Sequence, residues 1–402
     1  MSRVDPGTRE NVRTPSLKER RIAMLRRTKI ADRHRIALEP PTTSFWGILG
    51  IVSIFVVLGI IMVLSSSSVV RLQSGGSAWD YFLRQILWAS MGAGGMWYAY
   101  RIPYTTWVKQ RWLSLAAVAV SVANVFVFAK GEFIKGARAW LEIFGFRFQP
   151  SEFMKIVAVL FCANLIAKRH RSVAIPAMVH YPLVGAMCVT AGLCGLQRDY
   201  GGALIFIGTI SLMMVMSGLS WRRITATLAG VAVAGWLLLQ VSTRARVRLT
   251  AFLNLDETKG DWGYQVYQSL LSMANGGWTG TGIGSGTAKW GYVPEAHTDF
   301  IFAVIAEELG LFGTVLVIGG FIFLVLFGVR VALAAPDMTS ALIAAGVSAW
   351  FGFQAFINIG GVSGTLPLTG LTLPFLSYGG SSLIASMFAA GMLLKVARLV
   401  KT

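Results

Sequence analysis

"FIFAVIAEELGLFGTVLVIGGFIFLVLFGVR", residues 300–330, is a 31-residue run in which only Glu307, Glu308 and Arg330 carry charge. As one straight helix it would extend about 46 Å, well beyond the roughly 30 Å hydrocarbon core of a bilayer. Residues 311–330 alone suffice to span. The first part is therefore expected at or above the outer interface, or inside a protein-lined cavity. It brings Glu307 and Glu308 to the same edge as Glu295 and Asp299 of the preceding "VPEAHTDF" (293–300), although the whole chain has only 18 acidic residues.

Similar runs recur along all 402 residues, which are 55% hydrophobic and only 13% charged. Soluble domains carry about 25% charged residues, and the mean hydropathy here is +0.63. The chain belongs to the membrane class. Its polar, basic N-terminus is not a cleavable signal, which excludes a secreted soluble protein. Cys162, Cys188 and Cys194 lie in apolar runs without metal spacing and read as packing residues.

The expected fold is all-α and polytopic, with ten transmembrane helices near 45–65, 79–99, 112–129, 152–168, 176–195, 200–218, 221–241, 309–330, 338–358 and 379–397. The second and sixth are the least clean. Ten spans place both termini on one side. Lys and Arg fall at 101–111, 168–171, 222–223, 330 and 395–401, so the positive-inside rule predicts cytoplasmic termini. Residues 1–44 carry eleven Lys/Arg against five Asp/Glu, a net +6. This tail is expected to be disordered and held near anionic lipid headgroups, or to act only as a topology signal. No nucleic-acid partner is expected. Residues 45–398 form the membrane domain, with 242–299 as a large extracytoplasmic loop between helices 7 and 8.

Three outer segments are unusual. Residues 130–151 carry Lys130, Lys135, Arg138 and Arg147, and 242–299 opens with Arg244, Arg246 and Arg248. Outer cations that break the inside bias pair with nearby acids or bind phosphate. The third segment, "SGTLPLTGLTLPFLSYGGSSL" (363–383), is too rich in Gly and Pro for a helix. Such backbone at membrane depth is buried by protein or lines a wet cavity. Its hydroxyls, Ser377, Tyr378 and Ser381 among them, are suited to sugar or phosphate.

Smaller motifs leave alternatives open. "GGWTGTGIGSGTAKWGY" (276–292) lacks both nucleotide-loop patterns, so its glycines are read as backbone freedom in a loop that hugs something. "FQPSEFMKI" (148–156) starts a helix at Pro150. Glu152 and Lys155, three apart, form either a surface ion pair or a cavity-facing one. Asp199 opens an apolar span and is a functional candidate or an interfacial acid paired with Arg198. If 295–308 is helical, Glu295 and Asp299 share a face, Glu308 lies near it and Glu307 turns away. Clustered acids there serve as a base, a divalent-cation site or a proton path, with His297 as a proton partner or a plain hydrogen-bonding residue.

"GARAWLEIFGFRFQPSEFMK", "QRDYGGALI", "YQSLLSMANGGWTGTGIG", "VPEAHTDFIFAVIAEELGLFG" and "SGTLPLTGLTLPFLSYGGSSL" recur in the order found in the SEDS family of shape, elongation, division and sporulation proteins. The chain closely resembles that family over residues 45–398. The resemblance implies ten membrane helices and a peptidoglycan glycosyltransferase that joins lipid II units at the outer face of the bacterial cytoplasmic membrane. The acceptor hydroxyl attacks the anomeric carbon of the growing strand, and undecaprenyl pyrophosphate leaves.

It also implies Asp299 as the catalytic base and a divalent metal, Mg or Mn, with unassigned ligands. Substrate binding falls to Arg138, Trp140, Gln149, Ser151, Glu152, Lys155, Asp199, Lys289, Glu295, His297, Thr298, Ser377, Tyr378, Gly379 and Ser381. The implied partners are lipid II, undecaprenyl-pyrophosphate-linked glycan, a class B penicillin-binding transpeptidase, other division-machinery membrane proteins and membrane lipids. The motifs and basic tail look more like the division branch than the elongation branch, which implies work at the division site.

Three positions depart from the family pattern. Arg198 stands where Pro is usual, Gly202 where Thr is usual, and only Arg138 precedes Ala139-Trp140 where two basic residues are favoured. A lipid II flippase is the rival reading. It needs a polar path across the full bilayer, and residues 311–329 and 339–358 contain almost no ionisable groups.

Overall fold

Hydropathy decides where this chain is helical, and local caps decide where each helix starts. The computed structural model describes residues 41–134, 137–143 and 146–400. The expectation for the basic tail falls on 1–40, outside the described residues. Each predicted span holds one helix. Helix α1 (Thr43–Gln73) begins where the Thr42 hydroxyl accepts the Phe45 N–H at 3.3 Å. Next come α2 (Asp80–Arg101) and α3 (Gln110–Lys130). Helix α4 (Pro150–Arg169) has Pro at its first position, where an N–H has no intrahelical partner anyway. Helices α5 (His180–Leu196), α6 (Tyr200–Met216) and α7 (Trp221–Val241) follow.

The segment after α7 is largely helical too, with α8 (Thr243–Leu253) and α9 (Tyr264–Gly276). The chain then forms α10 (Ile301–Leu333), α11 (Met338–Val362) and α12 (Gly380–Ala397). By length and composition α1, α3, α4, α7, α10, α11 and α12, seven helices of the described residues, can cross a membrane. Helices α5 and α6 are apolar but have 17 residues each. Helix α2 carries Asp80, Arg84 and Arg101. The chain is an all-α polytopic membrane protein.

The long run that opens at Phe300 is not one rod. Gly310 adopts φ 64° and ψ −156° inside α10 and breaks it. Residues 311–333 then form a span of about 34 Å. A break orphans backbone groups of the adjoining turns, and the glycine-rich loop supplies partners for them. Thr281 N–H donates to Glu307 O at 2.9 Å, Gly282 N–H to Glu308 O at 3.0 Å, and Leu311 N–H to Gly277 O at 2.9 Å. The approach is so close that a Cβ on Gly280, itself at φ 82°, would lie 2.2 Å from Glu308 O. The loop does hug something, and that something is α10.

Helices α4, α11 and α12 are the most buried of the spans and α7 the least. Trp236, Leu237 and Val241 of α7 are exposed, as suits a lipid-facing helix. Residues 363–379 run without helix between α11 and α12. Leu373, Phe375 and Leu376 are buried there, and Phe375 packs on Phe351 of α11 at 5.1 Å. One element was not anticipated. Three short strands form a small antiparallel sheet in the order β1 (Glu132–Ile134), β2 (Ala137–Ile143), β3 (Phe146–Phe148), with Phe133 opposite Arg138 and Glu142 opposite Arg147.

Candidate active site

The helix supposed over 295–308 does not form before Ile301. Gly291 takes φ 96° and Glu295 φ 59°, and Pro294 stands between them, so 291–300 is a series of turns. This divides the four acids. Glu307 and Glu308 lie in α10 beneath the glycine-rich loop and are fully buried. Glu307 accepts hydrogen bonds from Thr287 N–H (2.8 Å), Thr287 Oγ1 (2.6 Å), Ala288 N–H (3.0 Å) and Asn275 Nδ2 (3.0 Å). Glu308 accepts from Ser65 Oγ of α1 at 2.6 Å and Gly284 N–H at 3.0 Å, and Lys289 Nζ stands 3.7 Å away. These two carboxylates bind the protein's own loop.

Glu295 and Asp299 instead line a cavity of about 1430 Å³. Asp299 is 9% exposed. Its backbone is fixed by Asn358 of α11, whose Nδ2 donates to Asp299 O at 2.9 Å and to Leu371 O at 2.6 Å. One buried amide thus ties the acid to the non-helical segment. Arg248 of α8 donates to Thr369 O at 3.0 Å and reaches the same place. A Cβ on Gly370 would stand 3.6 Å from Asp299 Oδ2 and 3.8 Å from Arg248 Nη2. Burial, then the neighbouring Arg244, lowers the Arg248 pKa from its usual value, and Asp299 opposes both. Beside Asp299, Tyr378 N–H donates to His297 O at 2.9 Å, and the Tyr81 ring of α2 packs tilted against His297 and edge-on against Tyr378, with centroids 4.8 Å apart in each case. The Thr298 hydroxyl bonds back to Glu295 O and Oε2, both at 3.2 Å.

Asp199 lines the same cavity. It caps α6 by accepting Gly202 N–H at 2.8 Å, and Gln149 Nε2 reaches its other oxygen at 3.4 Å. Burial raises its pKa above the usual value, the Gly202 N–H opposes this, and Glu152 adds to the rise. Gln149 N–H in turn donates to Ser381 Oγ at 3.0 Å. Glu152 faces the cavity, with Lys155 behind it at 2.7 Å. Lys155 Nζ donates to Gln354 Oε1 at 3.0 Å and stands 4.8 Å from the Trp350 ring centroid. Gln354 passes the link to Thr372 O at 2.8 Å. The pair is therefore buried and connects α4, α11 and the non-helical segment.

Of the residues anticipated for the site, Asp299, Trp140, Gln149, Glu152, Asp199, Glu295, His297, Thr298, Tyr378, Gly379 and Ser381 meet on this cavity. Five others do not line it. Arg138 Nη1 turns to Phe128 O at 3.0 Å. Ser151 is buried in the first turn of α4, and Lys155 stands behind Glu152. Lys289 is held under the glycine loop by Gly284 O and Glu308. Ser377 Oγ accepts Leu373 N–H at 2.8 Å inside its own turn. Arg248 was named only among the outer cations expected to pair with acids or bind phosphate, and Asn358 and Gln354 were not singled out for the site. The signal for the two amides was present, since they are the polar residues, four apart, in the apolar "WFGFQAFINIGG" (350–361).

The FtsW/RodA/SpoVE family, described as cell cycle proteins, matches residues 45–402. The chain belongs to that family. It is 38% identical over 344 residues to the probable peptidoglycan glycosyltransferase FtsW of Geobacter metallireducens, covering 85% of this chain and 92% of the relative. It is 35% identical over 344 residues to stage V sporulation protein E of Bacillus subtilis, covering 85% and 93%. Among solved structures, a chain of a peptidoglycan synthase complex that coordinates polymerization and crosslinking matches with TM-score 0.70 and 28% identity, covering 88% of this chain and 97% of that one. The rod shape determining protein RodA of Thermus thermophilus matches with TM-score 0.63 and 27% identity, covering 88% and 96%.

Two departures from the FtsW/RodA/SpoVE pattern flank Asp199 and have local causes. Arg198 sits at φ 63°. It ends α5 by donating its N–H to Gly195 O at 3.0 Å, while Asp199 N–H reaches Cys194 O at 2.8 Å. Together these form a left-handed helix cap. Proline, fixed near −65° and without an N–H, cannot occupy that position in this conformation. At Gly202 a Cβ would lie 2.6 Å from Asp199 Oδ2, so Thr there would displace the capping carboxylate.

The described residues contain no group of three or more His, Cys, Asp or Glu side chains able to hold a metal. The site offers a divalent ion single carboxylates rather than a cage. That is the set Mg²⁺ uses when substrate phosphates complete its shell.

Proposed function

We propose that this chain is a peptidoglycan glycosyltransferase of the division branch, polymerising lipid II into glycan strands. The observation that carries the reading is one cavity in which a recessed carboxylate, Asp299, stands beside an arginine, Arg248, on a backbone held by Asn358. The family assignment supports it.

In the proposed step Asp299 accepts the proton of the acceptor sugar hydroxyl. That oxygen forms a bond to the anomeric carbon of the growing strand. The bond from that carbon to the pyrophosphate oxygen breaks, and its electron pair leaves with undecaprenyl pyrophosphate. One base and a direct displacement invert the α-linked donor to a β-linkage. Arg248 offsets charge on the leaving group, because a preoriented cation acts most strongly where water is excluded. Tyr81, His297 and Tyr378 provide aromatic surface beside the reacting centre. Mg²⁺ or Mn²⁺ would neutralise pyrophosphate charge, held by one cavity carboxylate and the substrate's own oxygens.

The reading extends to setting. The cavity lies on the outer face of the cytoplasmic membrane, both termini are cytoplasmic, and the basic tail meets anionic lipid. A class B penicillin-binding transpeptidase is the partner at the division site, alongside other division-machinery membrane proteins. The test is polymerisation of lipid II by the purified protein, alone and with such a transpeptidase, with and without EDTA. Glycan chains are expected. Transfer of lipid II across vesicles without polymerisation would favour a flippase and overturn the assignment.

A further inference from the structure

A helix that only has to cross a membrane needs apolar residues and little else. Helix α2 departs from that rule, with Asp80, Tyr81, Arg84, Gln85 and Trp88 all in its first part. Tyr81, Gln85 and Trp88 are spaced i, i+4 and i+7 and share one face. All three meet the same short stretch far along the chain, residues 377–380.

The Tyr81 ring packs edge-on against Tyr378, with centroids 4.8 Å apart. Gln85 is fully buried, and its Nε2 donates to Ser377 O at 3.4 Å. The Trp88 indole lies against the backbone of Gly380, where a Cβ would stand 2.7 Å from Cε2 and 2.9 Å from Nε1. The indole has little room to retreat, because Phe146 of β3 meets it edge-on at 5.0 Å. Tyr81 is itself held by Arg71 of α1, whose guanidinium carbon lies 5.3 Å from the ring centroid and which pairs with Asp80.

These contacts reach Asp299 because residue 378 is joined to the turn that carries it. Tyr378 N–H donates to His297 O, and Tyr81 packs against the rings of both residues that this hydrogen bond links. A backbone hydrogen bond covered in this way is shielded from water and is the stronger for it. Tyr81, Trp88, Tyr378 and Gly380 line the same cavity as Asp299. A buried glutamine in a span is kept for the partner it places, since an apolar residue would serve the span at lower cost.

We propose that the face of α2 formed by Tyr81, Gln85 and Trp88 is a positioning template for Asp299. It fixes residues 377–380, and these fix the 295–299 turn through the Tyr378–His297 hydrogen bond. The three residues are positioning residues: in this role they act through the cavity wall and take no part in bond making. The inference rests on the glycosyltransferase reading for what Asp299 does, and on geometry alone for what holds it.

The test disturbs the template without touching Asp299. In full-length protein in nanodiscs, Gly380→Ala pushes on the Trp88 ring. It is expected to lower kcat for lipid II polymerisation about 10–100-fold, the cost of a misplacement on the order of 1 Å, with KM changed far less. Adding Trp88→Leu makes room for the new methyl group and should recover part of that loss. Tyr81→Leu should lower kcat in the same way, and Tyr81→Phe, which keeps the ring, should retain more of it. Because the template works through Asp299, Gly380→Ala should cost little further in an Asp299→Asn background. Hydrogen exchange at the Tyr378 amide needs no catalysis and should speed up in Gly380→Ala and Tyr81→Leu. Wild-type kcat in both variants would overturn the proposal. So would a loss confined to KM, or an equal loss with and without the Asp299 carboxylate. If exchange at Tyr378 responds as expected but the wild type makes no glycan, the template stands and the glycosyltransferase reading fails.

Discussion

Glu307 and Glu308 are more deeply buried than Asp299, yet the shallower residue is the better candidate for chemistry. The difference lies in where the donors come from. Glu307 takes four hydrogen bonds from Asn275, Thr287 and Ala288, and Glu308 takes Ser65, Gly284 and the charge of Lys289. A carboxylate whose lone pairs are filled by its own fold stabilises that fold and has little to offer a substrate. Asp299 has its backbone carbonyl bound by Asn358 and stands on the wall of a cavity shared with Arg248, where a substrate can reach its carboxylate. Two acid pairs within one stretch thus divide into loop anchors and cavity acids at the point where the helix begins.

The sharpest way to break this comparison is to change one residue on each side. Asp299→Asn keeps shape and removes the base, so polymerisation of lipid II should fall by about 10²–10⁴. The melting temperature should move little. Near-normal glycan synthesis by this variant would end the case for Asp299. Glu308→Ala should do the reverse. It strands Lys289, 6% exposed, without its buried counter-charge, and removal of one member of a buried pair costs about 3–5 kcal/mol. Thermal unfolding followed by tryptophan fluorescence should register that loss, while the protein that remains folded at low temperature keeps measurable turnover. Unchanged stability would show that the loop does not depend on this anchor.

Arg248 sharpens the comparison from the cation side. Arg248→Ala should lower kcat about a hundredfold, the usual cost of one preoriented charge donor. Arg248→Lys should recover only part, because a lysine cannot both hold Thr369 O and present a fork to phosphate. If kcat is unaffected and only KM changes, the residue binds substrate without stabilising the leaving group.

How much of this could be read from residues alone follows from the range of the forces involved. The helices were legible because a span is a local matter of length and hydropathy, and even the misfit of 300–330 to one bilayer crossing pointed to the break at Gly310. The face-sharing argument for Glu295 and Asp299 failed because Gly291, Pro294 and the left-handed Glu295 turn the chain before any helix can start. The fate of Glu307 and Glu308 was not legible, since it depends on residues 275–289 folding back over α10. The Glu152–Lys155 spacing was visible, but whether the pair faced solvent or a cavity depended on Gln354 and Trp350, some 200 positions away. The small sheet was missed because its strands are three, seven and three residues long and show little periodicity.

Asp199 offers the gentlest test, because it combines features of both groups: it caps a helix like an anchor and lines the cavity like a working acid. Burial raises its pKa above the unfolded value, with Glu152 adding to the rise against the Gly202 N–H. For an acid shifted in this direction, folding is helped by the proton. The contribution is fully present below the ordinary carboxylate pKa near 4 and is lost as pH rises through the higher folded value. At neutral pH the wild type therefore carries the cost of an ionised, recessed carboxylate. Asp199→Asn keeps an oxygen to accept the Gly202 N–H and cannot ionise. Its melting temperature relative to wild type should rise with pH across that window and then level off. Its lipid II turnover should lose the acid limb that Asp199 contributes to the pH profile. A stability difference that is constant with pH would mean that the helix cap, and not the charge in the cavity, sets the role of Asp199.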